Sequence, residues 1–317
     1  MEQPAIKDIR KPEFKFLYVK HSTDEFDSIK LKLNDVNAIF LEWVADNKTK
    51  RLVEEMVYQA SLVDDPKIKN RYIEQLSSDD GDNFTTLTIK YAIENKLQLY
   101  FIDETPEGEG TLQGQRAQEA FNYTKNSVDD GNFSQAIESY KLFHRYNHKF
   151  VKTRDAEVAK QLKKILDTHN LDGLKFAVIQ GEMHRGTYRN FSDDNRMRHK
   201  RLFDSDRNSF FLESEIIERL ERNDQPNVID DLVKRDFITR FVIQKYNDDN
   251  SFYLTDSDID GIGRRISQED LELYYKKLFN IEDLTVNGYS EYNRKVVEKQ
   301  LDIIGNEIIE KYSKNNI

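Results

Sequence analysis

The chain has no cysteine. Disulfides, thiolate metal ligands and cysteine nucleophiles are thereby excluded together, and any metal must be held by His, Asp, Glu or backbone oxygen. Long apolar runs are missing too: nothing approaches the ~20 residues needed to span a bilayer. With a mean hydropathy of −0.78 and 33% charged residues, the chain is expected to carry a heavily solvated surface and no membrane segment. Met1 to Lys15 mixes charges with prolines and has no apolar core of a secretory signal, so a cytoplasmic location is expected. An excess of positive charge is also lacking. The net charge of −10 argues against a nucleic-acid partner, because neutralising phosphates requires concentrated Lys and Arg.

Present instead is a set of short apolar segments that end on chemistry-bearing residues. Phe16-Leu17-Tyr18-Val19-Lys20-His21 and Phe176-Ala177-Val178-Ile179-Gln180-Gly181-Glu182-Met183-His184 each read as a strand that delivers an imidazole just past its carboxyl end. That is where open α/β sheets collect ligand and catalytic groups. Ala38-Ile39-Phe40-Leu41-Glu42-Trp43 has the same form but delivers the Glu42 carboxylate, and Leu97 to Asp103 ends on a second one. Two imidazoles and a carboxylate on neighbouring strand ends suit a metal site or an acid–base site. For either histidine alone, capping a strand at the sheet edge is the simpler role.

The 317 residues are enough for one large domain or two ordinary ones. The opening reads strand, helix, strand, with Phe26, Ile29, Leu31 and Leu33 as the apolar face of the helix. Helical periods follow over 51–62, 68–76 and 84–94. The stretch 105–114, with Pro106, Gly108, Gly110 and Gly114, reads as a flexible connection or a lid. Further helices are expected over 115–123, 132–143 and 155–169, and beyond Phe203 the pattern is helical throughout. The expected architecture is an α/β domain over 1–203, built on a central mixed sheet flanked by helices, and an α-helical extension or cap over 204–317.

Other candidates carry a weaker signal. Arg185, Arg189, Arg196, Arg198, Lys200 and Arg201, interspersed with Asp193, Asp194 and Asp204, would grip an anionic substrate group or form a solvated loop, the commoner fate of charge runs. His144 and His148 stand at i,i+4 spacing without a Glu partner, which favours packing or solvation over a metal clip. His169 suits a helix C-terminus, and His199 lies within the basic run. Asp256-Ser257-Asp258-Ile259-Asp260-Gly261 matches the first half of a calcium loop, but Ser267 stands where the closing bidentate carboxylate is required, so the segment reads as a turn.

The segment from Thr153-Arg154-Asp155 through one amphipathic helix to the strand closing in Gly181-Glu182-Met183-His184 resembles the second signature of the TIKI/TraB superfamily. That superfamily comprises TraB/PrgY pheromone-shutdown proteins, TIKI metalloproteases, erythromycin esterases and haem-binding ChaN proteins. The signature is Arg-Asp at a helix head followed by a strand closing in G-x-x-H. Its first half, a strand closing in G-x-x-H and a later strand ending in Glu, is matched by His21 and Glu42. The chain departs from it at Tyr18, which stands where the first glycine is expected. Asp103 resembles the carboxylate that ends the next strand.

The resemblance covers about 14–186 and implies an erythromycin-esterase/ChaN-like fold. It implies a hydrolase of peptide or ester bonds acting on a peptide or small-molecule substrate. His21, Glu42 and His184 would hold a divalent metal (Mn, Co or Zn) or position water, Arg154 would stabilise the developing negative charge, and Asp103 or Asp155 would orient these groups. A metal-free version has Glu42 and one histidine activating water while the other histidine protonates the leaving group. The alternative from the same resemblance is a haem- or metal-binding protein without turnover, with Tyr18 as a ligand. A third is an inactive scaffold whose C-terminal helices bind a protein partner or a second copy.

Overall fold

The computed structural model describes residues 11–19, 23–42, 47–76, 84–102, 109–168, 171–194, 196–203, 211–250, 254–285 and 290–313. They form an α/β unit, from 1–106 and 151–207, and a helical unit, from 107–150 and 208–317. Residues 107–150, expected from sequence to belong with the first 203, thus fold with the C-terminal helices instead. Periodicity identified their apolar faces but not the partner: Phe133, Ile137 and Tyr140 share a core with Phe237, Phe241 and Leu278.

The α/β unit is built on strands β1 (Glu13–Val19), β2 (Ala38–Leu41), β3 (Gln98–Phe101), β4 (Lys175–Gly181) and β5 (Arg198–Phe203) in the order β3-β2-β4-β1-β5. Every pairing among the described residues is parallel, where a mixed sheet was expected. The physical reason lies in the connections. Each pair of consecutive strands is separated by at least one helix, and a helical crossover returns the chain in the same direction.

Both faces of the sheet are covered, which is why β1, β2 and β4 read as near-continuous apolar runs. On one face Leu17, Val19, Ile39, Leu41, Ala177 and Ile179 pack against helices α1 (Thr23–Lys32), α2 (Asn47–Leu62), α3 (Pro66–Leu76) and α4 (Phe84–Glu94). Phe26, Ile29 and Leu33 of the first helical segment join this core, whereas Leu31, counted with them from spacing, projects into solvent at 74% exposure.

On the other face lie Phe14, Phe16, Tyr18, Phe40, Phe176 and Val178, under Val158, Ala159 and Leu162 of α6 (Phe133–Thr168) and Phe191 of α7 (Arg185–Phe191). Phe14 stacks on Phe176 at 4.8 Å and meets Phe191 edge-on at 5.1 Å. Such pairs add about 0.5–1.5 kcal/mol each beyond area burial.

Helix α5 (Glu109–Asp129) takes up Gly110 and Gly114 of the expected loop; residues 103–108 lie outside the described set. A Cβ on Gly114 would sit 3.1 Å from the Phe150 ring, so glycine there permits a close helix approach. Helix α6 (Phe133–Thr168) is continuous over 36 residues, where two separate helices were expected. The polar stretch between them hides the period but contains neither Gly nor Pro to break it. The basic run also folds differently: Arg198, His199, Lys200 and Arg201 lie on β5, paired with β1. An edge strand needs little apolar alternation, and its charges discourage a further strand from adding.

The helical unit continues with α8 (Leu212–Glu221), α9 (Pro226–Ile238), a π-helical stretch (Thr239–Ile243), α10 (Gln244–Asp249), α11 (Asp256–Arg265), α12 (Gln268–Glu282) and α13 (Ser290–Ser313). The half-calcium-loop run is α11 itself, not a turn. Thr255 caps it by accepting from Asp258 N while the Asp258 carboxylate accepts from the Thr255 backbone, a reciprocal box that starts a helix. Among the described residues no helix is long and apolar enough to cross a membrane.

Candidate acid–base site

Strand β4 ends at Gly181, a single 3-10 turn over Glu182–His184 follows, and α7 starts at Arg185. This abrupt strand-to-helix passage holds His184 over the carboxyl edge of the sheet, 2% exposed. Its Nδ1 is 2.7 Å from Asp155 Oδ1 on α6, and its Nε2 is 3.0 Å from Glu42 Oε1. Glu42 directly follows β2, tied to the sheet by its own N–H, which donates to Ile179 O at 3.0 Å. Its Oε1 also accepts from Arg154 Nη2 at 2.9 Å, and its Oε2 accepts from the Gly181 backbone N–H at 2.7 Å.

Four of the residues singled out from sequence, Glu42, Arg154, Asp155 and His184, therefore form one connected polar chain, with Gly181 donating from the backbone. Gly181 itself has φ −54° and ψ 147°, an extended geometry open to any residue, so its role here is its N–H. Arg154 and Asp155 sit in the middle of α6 rather than at a helix head. His21 and Asp103 lie outside the described residues, as does His169.

An imidazole between two carboxylates is held charged. Burial alone would depress the His184 pKa, but the Glu42 and Asp155 charges and hydrogen bonds outweigh it and raise the value to about 10. At neutral pH the ring is an imidazolium, with one N–H for each carboxylate. Around it the cations and anions alternate: Asp155, His184, Glu42, Arg154. Arg154 and Glu42 carry the little exposure the chain has, with side chains 13% and 12% exposed.

Tyr18 lies beneath this chain rather than in it. It is 1% exposed within the aromatic face, and its hydroxyl accepts from Tyr188 N at 3.3 Å. The Arg201 guanidinium lies 5.6 Å from the centre of its ring. Burial first, and then the Asp155 charge, push its pKa up. The phenol is thus kept neutral, opposite to the phenolate that haem iron takes as a ligand.

A divalent metal requires donors that are free to face it. His184 Nδ1 is committed to Asp155, and Glu42 is already neutralised by Arg154. Among the described residues no group of three or more His, Asp or Glu side chains could hold a metal ion. A cation at Glu42 would have to displace both the guanidinium and the Nε2 proton, so the described residues do not by themselves form a metal centre.

One participant was not singled out from sequence, and another was read differently. Thr187, fully buried, donates its hydroxyl to Asp155 Oδ1 at 3.2 Å. Arg201, read as part of a solvated run, reaches the Tyr18 and Tyr188 rings from β5. The three-residue spacing of His184 and Thr187 was the available signal for the first. His144 belongs to the helical unit, buried with its Nε2 3.2 Å from Asp236 Oδ2, and His199 packs edge-on to Tyr188. No family model, curated protein or solved structure matches the chain.

Proposed function

We propose that this protein is a hydrolase that cleaves an ester or peptide bond with water as the nucleophile, at the Asp155–His184–Glu42–Arg154 chain. The observation that carries this is the 3.0 Å contact between His184 Nε2 and Glu42 Oε1, which joins an acid and a base by one proton-transfer distance. The resemblance to the TIKI/TraB superfamily points to the same class of reaction.

Glu42 takes a proton from water as the water oxygen attacks the substrate carbonyl carbon. The oxyanion that develops is stabilised by the Arg154 guanidinium, a preorganised cation at a largely buried position. The imidazolium of His184 gives its Nε2 proton to the leaving alcohol or amine as the carbon–heteroatom bond breaks. Glu42 then returns its proton across the 3.0 Å contact to Nε2, restoring both groups. Asp155 keeps the ring oriented throughout and favours its return to the charged form.

A panel of ester and peptide substrates, assayed with wild type, Glu42→Gln and His184→Gln, tests this. Turnover by wild type with a loss of about 10²–10⁴-fold in each variant is expected. Absence of turnover in wild type across the panel, or equal rates in all three proteins, sinks the proposal.

A further inference from the structure

We propose that Thr187 is a positioning residue for His184, acting through Asp155 to fix where the imidazole points. The inference rests on the acid–base site proposed above. Both the Thr187 hydroxyl and His184 Nδ1 bond the same carboxylate oxygen, Asp155 Oδ1, at 3.2 and 2.7 Å. They stand three positions apart, about one turn of the 3-10 and α7 segment, so they reach the α6 carboxylate from one side. With one donor the carboxylate can rotate about its terminal torsion, which is broad. Two donors on one oxygen hold that plane, and through it the imidazole and the direction of Nε2 toward Glu42.

Three other helical threonines satisfy their hydroxyls within their own helix. Thr88, Thr124 and Thr239 each donate to the carbonyl four residues earlier, at 2.9, 2.8 and 2.7 Å. Thr187 is as buried as any of them, yet it sends its hydroxyl to another helix and to the group that orients the histidine. Orienting partners of this kind alter activity by about 10–100-fold without touching substrate.

The test reads the histidine directly. In ¹⁵N-labelled protein the His184 ring resonances are assigned by their loss in His184→Gln, and the solvent exchange of the Nδ1 proton is measured in Thr187→Ser, Thr187→Ala and Thr187→Val. The Ser and Ala variants differ by one oxygen, and Val keeps the shape of Thr without its hydroxyl. Exchange faster by about 10-fold in Ala and Val than in Ser and wild type is expected, the scale of one buried hydrogen bond. Equal exchange in Ser and Ala, or wild-type exchange in Val, overturns the role of Thr187.

No substrate enters this measurement. A faster-exchanging proton in a protein that hydrolyses nothing rejects the hydrolase and leaves the positioning role. Unchanged exchange in an active enzyme does the reverse. In an active enzyme Thr187→Val lowers kcat with KM unchanged, and Thr187→Ser restores it.

Discussion

His184 Nδ1 and Asp155 Oδ1 stand 2.7 Å apart, across 29 residues of sequence, and with Glu42 on the other nitrogen their contact favours a charged ring. Glu42 on the opposite nitrogen is shared with Arg154 and the Gly181 N–H, whereas Asp155 Oδ1 bonds the ring and Thr187. The imidazolium therefore depends on Asp155 as well as on Glu42.

Asp155→Asn isolates that dependence. The carboxamide oxygen can still accept from Nδ1, so the ring keeps a partner while the negative charge is lost. The His184 pKa is expected to fall from about 10, and the rate of the proposed hydrolysis to fall by about 10²–10⁴-fold, since the acid is less firmly held charged. NMR titration of the ring and rate measurements check both halves. A His184 pKa unchanged in the variant contradicts the assignment.

Much of this site could be read before the fold was in view, because strand ends and helix faces carry local patterns. Phe16 to Val19, Ala38 to Leu41 and Phe176 to Gly181 are apolar enough to declare themselves strands, and Glu42 and His184 follow from where those runs stop. What could not be read are relationships made by the fold alone. Strand β5 has a basic, half-solvated sequence because among the described residues only β1 flanks it, so it lacks the pattern that marked the others. Residues 107–150 show an amphipathic period, but nothing local says that Tyr140 meets Asp236, 96 residues on. Thr187 likewise becomes informative only when Asp155 is seen beside it.

That second pairing carries its own prediction. Tyr140 OH donates to Asp236 Oδ2 at 2.6 Å with both residues buried in the helical unit, and His144 Nε2 lies 3.2 Å from the same oxygen. Burial would raise the Asp236 pKa, but the His144 contact and the Arg240 charge outweigh it and lower the value. Tyr140→Phe removes one donor from a buried carboxylate while keeping the ring among Phe143, Phe237 and Phe241. A loss of about 1–3 kcal/mol is expected in urea unfolding. Leu142→Ala, at a side chain 42% exposed, should cost well under 1 kcal/mol. Equal midpoints for the two variants would show that the Tyr140–Asp236 bond contributes nothing.

The charged histidine also fixes how stability must vary with pH. His184 has an ordinary value of 6.5 and about 10 in the folded protein, so the folded state binds the proton more tightly than the unfolded chain. The resulting stabilisation is complete below pH 6.5. It declines as pH rises from there and is gone above about 10, where the folded ring also loses its proton. Its full size is on the order of a few kcal/mol, reduced by the cost of burying the two carboxylates. Urea unfolding of wild type between pH 6 and 10 should show this decline. In His184→Gln the side chain cannot take up the proton, so the slope of stability in that window should be shallower. Parallel slopes in the two proteins would mean that the ring is not held as an imidazolium between Asp155 and Glu42.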